Sequence, residues 1–429
     1  MNIFETVAKV KEHYKRLLET AVDEHEWAYA WRSKINDGGF RANDFLMGEI
    51  VDTGKCIGCA SCVAICPTSV FDYDDELPVN ARPDACVQCV LCADVCPVLR
   101  PLDKDLPQFL KLRDDVKDDG FGPYSYMLYA RATDPELLAA SQDGGMVSAL
   151  LLHHFKTGRL KAAVVGDVLP ENNQIGTHKL ASNRADLLSC AASRYTYSPN
   201  TLALQEAMDN GAAPLAVIGV PCQINGVRLQ QNSSIKSEMT SWYRKNIKLT
   251  IGLACSESFT HESLQKLGEL LDIDPDRIDN INIKGKVVVR LDDQDGEILN
   301  LPLKTYREWA RPACLYCTDY SGETADIGAG GIGIDGWTCT WVRTEAGHEA
   351  LQAAIADGYL DTRPIEDEMR GFDLTRKISL GKKKNRPHPA RMPTLAEREE
   401  LNYLDPKTFY TKGPGAPPPP EDVEREKTT

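Results

Sequence analysis

Two cysteine runs of identical spacing are the residues of this chain best suited to do chemistry. Each run reads C-x2-C-x2-C-x3-C-P, and the runs begin at positions 56 and 86. Gaps of two residues let three sulfurs reach one face of a four-iron cube, and thiolates are the ligands that such cubes take. We therefore expect two [4Fe–4S] clusters that carry single electrons, bound by Cys56, Cys59, Cys62, Cys66, Cys86, Cys89, Cys92 and Cys96.

The spacing is that of two-cluster bacterial ferredoxins, in which the fourth cysteine of each run binds the other cube. The alternative is zinc, but zinc sites usually combine two separated C-x2-C pairs, not eight cysteines in tandem with trailing prolines. We therefore predict crossed ligands. The expected groups are Cys56, Cys59, Cys62 and Cys96 for one cube, and Cys86, Cys89, Cys92 and Cys66 for the other.

Six further cysteines lie outside the two runs. Cys314 and Cys317 form a C-x2-C pair, while Cys222 and Cys255 each follow a short apolar run. Cysteines that follow strands of an open α/β sheet gather at the edge where such folds bind ligands. We expect these four to hold a third [4Fe–4S] cluster, with ordinary buried thiols as the alternative. The remaining two, Cys190 and Cys339, have no spaced partner and are expected to be structural.

The chain from Tyr126 onward has the pattern of an α/β fold. Short apolar runs at 162–165, 215–220 and 249–253 alternate with segments of helical period such as 146–155. The expected fold class is therefore α+β and α/β. In it, a small ferredoxin-like module with two [4Fe–4S] clusters is joined to a larger α/β core.

We divide the chain into five segments. Residues 1–50 have apolar residues at helical spacing and are predicted to be a helical extension lying against the ferredoxin module, residues 51–100; a subunit-docking arm is the alternative. Residues 101–125 are charged, contain glycine and proline, and are predicted to be a linker. Residues 126–380 form the core. Residues 381–429, polar and proline-rich near the end, are predicted to be a disordered or partner-binding tail.

Composition and charge exclude several classes of protein. A chain of 429 residues with 42% hydrophobic residues is long enough for two or more domains. Its 49 basic and 63 acidic residues give a net charge of −14, which argues against nucleic acid or an anionic membrane as the main partner. We find no signal peptide and no run near the length of about 18 apolar residues that a membrane span needs. We expect a cytoplasmic protein that reaches a membrane only through a partner.

Five segments, read in order, resemble one family of redox proteins. They are QDGGMVSAL at 142–150, SRY at 193–195, GVPCQI at 219–224, GLAC at 252–255, and CLYCTDY at 314–320 with ADI at 325–327. This order resembles the beta-subunit family of coenzyme F420-reducing hydrogenase and coenzyme F420 dehydrogenases. Its members carry FAD and a [4Fe–4S] cluster and pass electrons between a two-electron deazaflavin and one-electron centres. The resemblance implies that the α/β core of this chain, residues 126–380, is a domain of that kind that binds FAD and the third cluster.

The resemblance also implies two places of contact with FAD. An Asp-Gly-Gly segment precedes an apolar helix, where backbone N–H groups and the helix dipole favour a pyrophosphate; an ordinary turn is the alternative. The Ser-Arg-Tyr segment offers hydroxyls and a fixed positive charge that would stabilise a reduced, anionic flavin, with a surface arginine as the alternative. Arginine stands here where lysine is common in the family, and Cys255 follows alanine, so substrate choice is expected to differ. The expected FAD residues are Asp143, Gly144, Gly145, Met146, Ser193, Arg194 and Tyr195.

The deazaflavin coenzyme is a phosphorylated, glutamylated anion, so an acidic chain needs a local basic patch to bind it. The candidates lie in two stretches of the core, with ordinary solvated surface charges as the alternative. They are Lys284, Lys286, Lys304 and Arg307, with Arg311 just before the C-x2-C pair. We find no nucleophile–base arrangement and no phosphate-binding P-loop, and we interpret His153 and His154 as structural. No side chain is expected to be catalytic, because the cofactors carry the chemistry.

The sequence thus predicts a flavin iron–sulfur oxidoreductase with three [4Fe–4S] clusters and FAD. Hydride would pass between coenzyme F420, or another two-electron carrier, and the flavin, and single electrons would run through the clusters. The expected partner is ferredoxin or a redox subunit of hydrogenase, formate dehydrogenase, heterodisulfide reductase or quinone oxidoreductase type. Two alternatives are a ferredoxin-dependent reductase of another organic substrate and an electron-wiring subunit without its own substrate site.

Overall fold

The structure, a computed structural model, describes Ile35 and residues 41–100, 109–292, 298–385 and 424–426. Most of the predicted N-terminal helical extension and most of the predicted tail lie outside these residues. The α-helices are Ala42–Leu46 (α1), Ser61–Ala64 (α2), Leu91–Asp94 (α3), Pro135–Ala140 (α4), Met146–Lys156 (α5), Arg184–Ser189 (α6), Ala203–Asp209 (α7), Pro221–Asn232 (α8), Glu238–Asn246 (α9), Glu262–Leu271 (α10), Leu303–Tyr306 (α11), Glu345–Ala356 (α12) and Met369–Asn385 (α13). A π-helical turn lies at Met47–Val51, and 3-10 turns lie at Pro83–Ala85, Asn200–Leu202, Pro275–Arg277, Arg307–Trp309, Pro312–Tyr316 and Ile365–Glu368.

An eight-stranded mixed sheet forms the centre of the core. Its strands are Tyr126–Ala132 (β3), Ala162–Leu169 (β4), Asn172–Ala181 (β5), Leu215–Gly219 (β6), Ile247–Leu253 (β7), Ile327–Gly330 (β11), Thr338–Val342 (β12) and Leu360–Pro364 (β13). Their order is β13-β3-β12-β11-β7-β6-β4-β5, with β11, β7, β6 and β4 parallel and the outer strands antiparallel. The apolar runs predicted as strands lie in β4, β6 and β7, and the segment of helical period lies in α5, so these predictions are confirmed.

The central strands are buried on both faces, which is why they read as continuous apolar runs. Ala216 and Ile218 of β6 pack on one side with α5 and α12. Leu215 and Val217 pack on the other side with α7, α8 and α9. The sheet is therefore the middle layer of the core, with helices on each face.

The two histidines interpreted as structural join helices on the first of these faces. His153 Nε2 lies 2.7 Å from the carboxylate of Asp357, the residue that follows α12. His154 Nε2 lies 3.2 Å from the Ala350 carbonyl of α12. Both side chains therefore link α5 to α12.

The ferredoxin module docks on the second face of this sheet. It contains α2, α3 and a two-stranded hairpin, Asp72–Asp74 (β1) and Leu77–Val79 (β2), and α1, from the end of the predicted N-terminal extension, packs on it. Its own small core includes Phe45, Val70 and Phe71. Ile65 and Leu91 belong instead to the hydrophobic core beneath α8 and α9. The module and the α/β core therefore share buried apolar surface.

A second, antiparallel sheet lies beside the core. It contains Ile278–Lys284 (β8), Lys286–Leu291 (β9), Ile298–Pro302 (β10) and Glu424–Glu426 (β14), in the order β14-β10-β9-β8. Alternating residues of β9, Val287 and Val289, are fully buried against α10 and the ring of Phe259. This small sheet borders the region in which the flavin contacts are expected.

Two predicted boundaries differ from the structure. The described part of the predicted linker, residues 109–125, is packed on the core, with Phe121 buried against Trp341 and Phe372. The tail predicted from residue 381 begins inside α13, which continues to Asn385. In the linker segment and at the end of α13, the buried apolar or small residues are separated by charged residues. The local composition therefore does not predict that these segments pack on the core.

Among the described residues, no helix combines the length and apolar character that crossing a membrane requires.

Candidate iron–sulfur and cofactor sites

The carboxyl ends of parallel strands bring the core cysteines to one edge of the main sheet. Cys222 follows β6 as the second residue of α8, whose first residue is Pro221. Cys255 follows β7 closely, and its N–H donates to the Tyr320 carbonyl. Cys314 lies in the 3-10 turn that ends just before Cys317. Such an edge is where open α/β sheets bind ligands.

The four core cysteines are close enough for their charges to interact. Burial, followed by the charges of other cysteines including Cys317 and Cys255, raises the pKa of Cys222 well above its usual value. Burial is also the main reason that the pKa of Cys255 rises to about 12, with Cys314 and Cys317 adding to the increase. The structure thus brings together the four cysteines predicted to hold a third cluster. We call Cys222, Cys255, Cys314 and Cys317 the core group.

The surroundings of the core group suit thiolates that bind iron. The Ser258 N–H lies 3.5 Å from Cys314 Sγ, and the Tyr197 hydroxyl lies 3.6 Å from Cys222 Sγ. Burial without a metal favours the neutral thiol, whereas bound iron supplies the positive charge that keeps a thiolate ionised. Four partly buried cysteines with hydrogen-bond donors around them fit a [4Fe–4S] cluster.

No group of three or more His, Cys, Asp or Glu side chains in the described part of the chain is arranged to hold a single metal ion. A cube makes a different demand, because each of its four irons takes one thiolate. The four cysteine ligands of a cube therefore lie around the cluster, and their sulfurs do not converge on one point as the ligands of a single metal ion do.

Lys382 is a buried cation at the core group that sequence reasoning missed. Its ammonium donates to the Cys255 carbonyl at 2.8 Å and the Asp319 carbonyl at 2.6 Å, and lies 3.5 Å from Cys317 Sγ. Lys382 belongs to helix α13, and Thr375 and Ser379 are buried on the same face of that helix. Because the residues on that face of the helix are polar or small, the sequence shows no hydrophobic periodicity there, and the burial of the face could not be predicted from it.

The remaining two cysteines lie elsewhere. Asp167 and Lys179 flank Cys190, and burial raises its pKa to about 11. Cys339 is buried in β12 beside Phe121 and Trp341. Their surroundings agree with the prediction that both are structural.

The eight cysteines of the ferredoxin module fall into two groups. Burial, then the charges of Cys59 and Cys56, raises the pKa of Cys96. Burial, then the charges of Cys89, Cys66 and Cys86, raises the pKa of Cys92. The charge of the fourth cysteine of each run is therefore felt by cysteines of the other run, and Cys66, Cys86, Cys89 and Cys92 line one cavity. The crossed binding of two clusters stays a prediction. We call Cys56, Cys59, Cys62 and Cys96 the first-run group, and Cys66, Cys86, Cys89 and Cys92 the second-run group.

The two runs share an unusual backbone. Gly58 and Gln88 have positive φ, as do Ala60 and Val90, which immediately precede α2 and α3. A positive φ is unfavourable for a branched residue such as Val90, so the loop geometry is maintained against local preference. In the first run it turns the Gly58 N–H toward Cys56 Sγ, at 3.3 Å. Matching strain at matching positions indicates loops built to surround a cluster.

Contacts across the domain boundary place the first-run group next to the core group. The Tyr243 hydroxyl donates to the Ala64 carbonyl at 2.9 Å, and Thr201 donates to the Cys59 carbonyl. The Cys59 charge adds to the burial that raises the pKa of Cys222. Sulfurs of the module and of the core therefore lie within range of each other's charge.

The Asp-Gly-Gly segment predicted to bind FAD reaches the same sheet edge. The Gly144 carbonyl accepts from the Ala132 N–H at 2.7 Å, and a Cβ on Gly144 would lie 2.5 Å from the Thr338 nitrogen. A Cβ on Gly331, which follows β11, would lie 1.8 Å from the Asp143 carboxylate. Gly145 has positive φ and immediately precedes α5, while the Met146 side chain is fully buried. Met146 can therefore offer a ligand only its backbone.

The Ser-Arg-Tyr segment lies beside the small sheet. The Arg194 guanidinium donates to the carbonyls of Asn173 at 2.7 Å and Ala191 at 3.3 Å, and also contacts the Ser193 carbonyl. Burial lowers its pKa. The Tyr195 hydroxyl accepts from the Ile283 N–H of β8 at 3.2 Å. Since Asn280 of β8 also contacts Gln142, both predicted FAD segments border the same strand.

The predicted basic patch is only partly accounted for. Lys286 is exposed beside Gly285 in the β8–β9 hairpin, and Arg307 forms an ion pair with Glu257 at 3.1 Å. The side chains of Lys284 and Lys304 lie outside the described part of the structure. Arg311, suggested for the same patch, is buried and contacts the ferredoxin module, so that interpretation is wrong.

Family models match most of the described chain. The amino-terminal and carboxy-terminal models of the beta subunit of coenzyme F420 hydrogenase/dehydrogenase match residues 127–205 and 213–368. A 4Fe-4S dicluster model matches residues 55–99. These matches agree with the resemblance found in the core motifs and with the cysteine spacing of the module.

Individual relatives are similar over long stretches. The beta subunit of a coenzyme F420 hydrogenase from Methanothermobacter thermautotrophicus is 32% identical over 66% of this chain and 99% of its own length. One of the subunits of the F420H2 dehydrogenase of Methanosarcina mazei is 28% identical over 80% of this chain and 93% of its own. A chain of the F420-reducing [NiFe] hydrogenase complex from Methanosarcina barkeri superposes with a TM-score of 0.58 at 32% identity, covering 63% of this chain and 92% of that one.

Proposed function

Since this chain belongs to the coenzyme F420 hydrogenase/dehydrogenase beta-subunit family, we propose that it is an F420-linked iron–sulfur oxidoreductase. It would hold FAD and three [4Fe–4S] clusters and act as one subunit of a larger redox complex. The observation that carries this proposal is the direct packing of the first-run group on the core: Thr201 donates to the Cys59 carbonyl, and a Cβ on Gly226, in the helix that contains Cys222, would lie 3.7 Å from Cys59 Sγ.

FAD would exchange a hydride with coenzyme F420, and the clusters would carry the electrons singly. The chain's own residues would bind and orient these groups. Thiolates of the core group would hold iron at the carboxyl edge of the sheet, where Lys382 donates toward Cys317 Sγ. The absence of a side chain at Gly144 lets the Asp-Gly-Gly segment pack closely on β12, because a Cβ there would clash with Thr338. The Asp143 and Tyr195 segments border this edge and would position the flavin.

Lys286 and Arg307, whose guanidinium is paired with Glu257, would recognise the acidic coenzyme near the small sheet. The electron partner would be ferredoxin or a redox subunit of the hydrogenase, formate dehydrogenase, heterodisulfide reductase or quinone oxidoreductase type. In support, the relatives named above include subunits of an F420 hydrogenase and of an F420H2 dehydrogenase.

The direct test mixes the anaerobically purified, reconstituted chain with reduced F420. We expect the flavin absorption to bleach while oxidised F420 appears, followed by reduction of the clusters. Protein that retains flavin but leaves it oxidised in the presence of reduced F420 would contradict the proposal. Bleaching by a different two-electron donor would then favour a reductase of another substrate.

The metal content provides a second test. Three cubes require about 12 iron atoms per chain, and Cys317→Ser should lower the content to about 8. Cys339→Ser is the control, because it also removes one thiol from the α/β core but at a buried position in β12 outside the core group. Near 8 iron atoms in the unmodified chain would mean that the core group is structural.

A further inference from the structure

A buried ion pair joins the ferredoxin module to the core between the two sets of sulfurs. Arg311 Nη1 lies 3.3 Å from Glu76 Oε1, and Nη2 donates to the Glu76 carbonyl at 2.9 Å. The two residues are only 5% and 8% exposed. Glu76 belongs to the turn of the β1–β2 hairpin, whereas Arg311 immediately precedes the 3-10 turn that carries Cys314.

The remaining faces of this pair are also occupied. The guanidinium lies over the Tyr197 ring, 4.6 Å from its centre. The His261 N–H donates to the other Glu76 carboxylate oxygen at 2.9 Å, and the Tyr73 hydroxyl contacts the Glu76 carbonyl at 2.8 Å. A charge held by this many contacts is fixed in position, which a solvated surface arginine is not.

Arg311 reaches toward the first-run group through a glycine. A Cβ on Gly58 would lie 2.5 Å from Arg311 Nη2, so the guanidinium packs directly on the Gly58 backbone. The N–H of the same residue donates to Cys56 Sγ at 3.3 Å. One residue therefore separates the positive charge from a cluster thiolate.

The backbone of Arg311 forms hydrogen bonds next to the core group. Its carbonyl accepts from the Cys314 N–H at 3.0 Å, and its N–H donates to the Ser258 carbonyl at 2.9 Å. The Ser258 N–H in turn faces Cys314 Sγ at 3.5 Å. The backbone of Arg311 thus stabilises the loop that contains Cys314 of the core group, and its guanidinium lies beside the first-run group.

We propose that Arg311 is a positioning residue that raises the reduction potential of the first-run cluster and thereby favours electron transfer to it from the core. The inference rests on the proposed function for the direction of this transfer. A cluster gains negative charge on reduction, and a nearby buried cation stabilises that charge strongly because little water screens it. Glu76 holds the guanidinium in place and partly offsets its charge.

The test is a potentiometric titration of the reconstituted full chain, followed by electron paramagnetic resonance. At a fixed potential, Arg311→Met should lower the ratio of reduced to oxidised first-run cluster about tenfold, which for a one-electron couple is 59 mV. Arg311→Lys keeps the charge and should restore most of the ratio. Glu76→Gln removes the opposing charge and should change the ratio in the other direction. Arg277→Met, which breaks an exposed ion pair with Asp292, is the control.

The titration needs neither F420 nor FAD, so its outcome is independent of whether F420 proves to be the substrate. An unchanged first-run potential in Arg311→Met, or an equal change at both ferredoxin clusters, overturns the proposal. If Arg311→Met loses its cluster, which iron analysis would show, Glu76→Gln decides the matter. A ratio that stays constant or falls in Glu76→Gln rejects the role of the buried charge.

Discussion

The two cysteine runs have the same spacing and the same backbone conformation, yet they lie in different surroundings. The first run faces inward, with Ser61 fully buried against α8 and Gly58 packed on a guanidinium. The second run is inward only at its later part, where Leu91 is 1% exposed, whereas Val87 between its first two cysteines is 60% exposed. A repeated motif can therefore supply two equivalent clusters whose positions in an electron path differ. That difference depends on what packs around each loop.

Loss of one cluster should have the largest effect and would test the crossed grouping. Cys96→Ser removes a ligand from the first-run group, so electrons from the core should no longer reach the second-run cluster. Cys66→Ser should instead remove the second-run cluster and leave the first-run cluster reducible. Each variant should lose about 4 iron atoms. Iron analysis with electron paramagnetic resonance measures both outcomes, and an effect of Cys96→Ser on the second-run signal alone would disprove the grouping.

A bulky residue at the domain contact should have the next largest effect. A Cβ on Gly226 of α8 would lie 2.0 Å from Ser61 Oγ and 3.7 Å from Cys59 Sγ. Gly226→Val should therefore displace the module, weaken its docking by about 1–3 kcal/mol, and slow reduction of the first-run cluster in stopped-flow experiments. Gly48→Ala is the matched control, because a Cβ there meets nothing within 4 Å. Equal reduction rates in both variants would show that the inward contact is dispensable.

The sequence predicted local ligand sets better than it predicted their surroundings. Cysteine spacing is a local property of the chain, and short apolar runs predict the strands that end just before Cys222 and Cys255. Both ligand sets could therefore be predicted from the sequence. Lys382 and Arg311 were not, because a buried cation carries the same local pattern as an exposed one. Only the tertiary contacts with Cys317 and Glu76 distinguish them. The packed part of the predicted linker was missed for a similar reason, since Phe121 stands among charged residues and glycines.

Removing the Lys382 charge should produce a smaller effect that is confined to the core. Lys382→Met deletes the ammonium 3.5 Å from Cys317 Sγ and should lower the ratio of reduced to oxidised core cluster about tenfold. The potentials of both ferredoxin clusters should stay constant. Lys382→Arg retains the charge, and Lys384→Met removes an exposed lysine of the same helix as a control. A shift that appears equally in all three clusters would point to general loosening of α13.

The smallest expected effect separates the two contacts that Tyr197 makes. Its hydroxyl lies 3.6 Å from Cys222 Sγ, whereas its ring lies beneath Arg311. Burial, and then the Cys222 charge, raises the pKa of Tyr197 well above its usual value, so the hydroxyl keeps its proton and can donate to the sulfur. Tyr197→Phe loses this single hydrogen bond, worth about 0.5–1.5 kcal/mol, and should lower the core cluster's potential slightly. Because the ring remains, the first-run potential should not change, and Arg311→Met should give the opposite pattern. A first-run shift in Tyr197→Phe as large as that in Arg311→Met would mean that the hydroxyl, not the guanidinium, governs the cluster nearest the core.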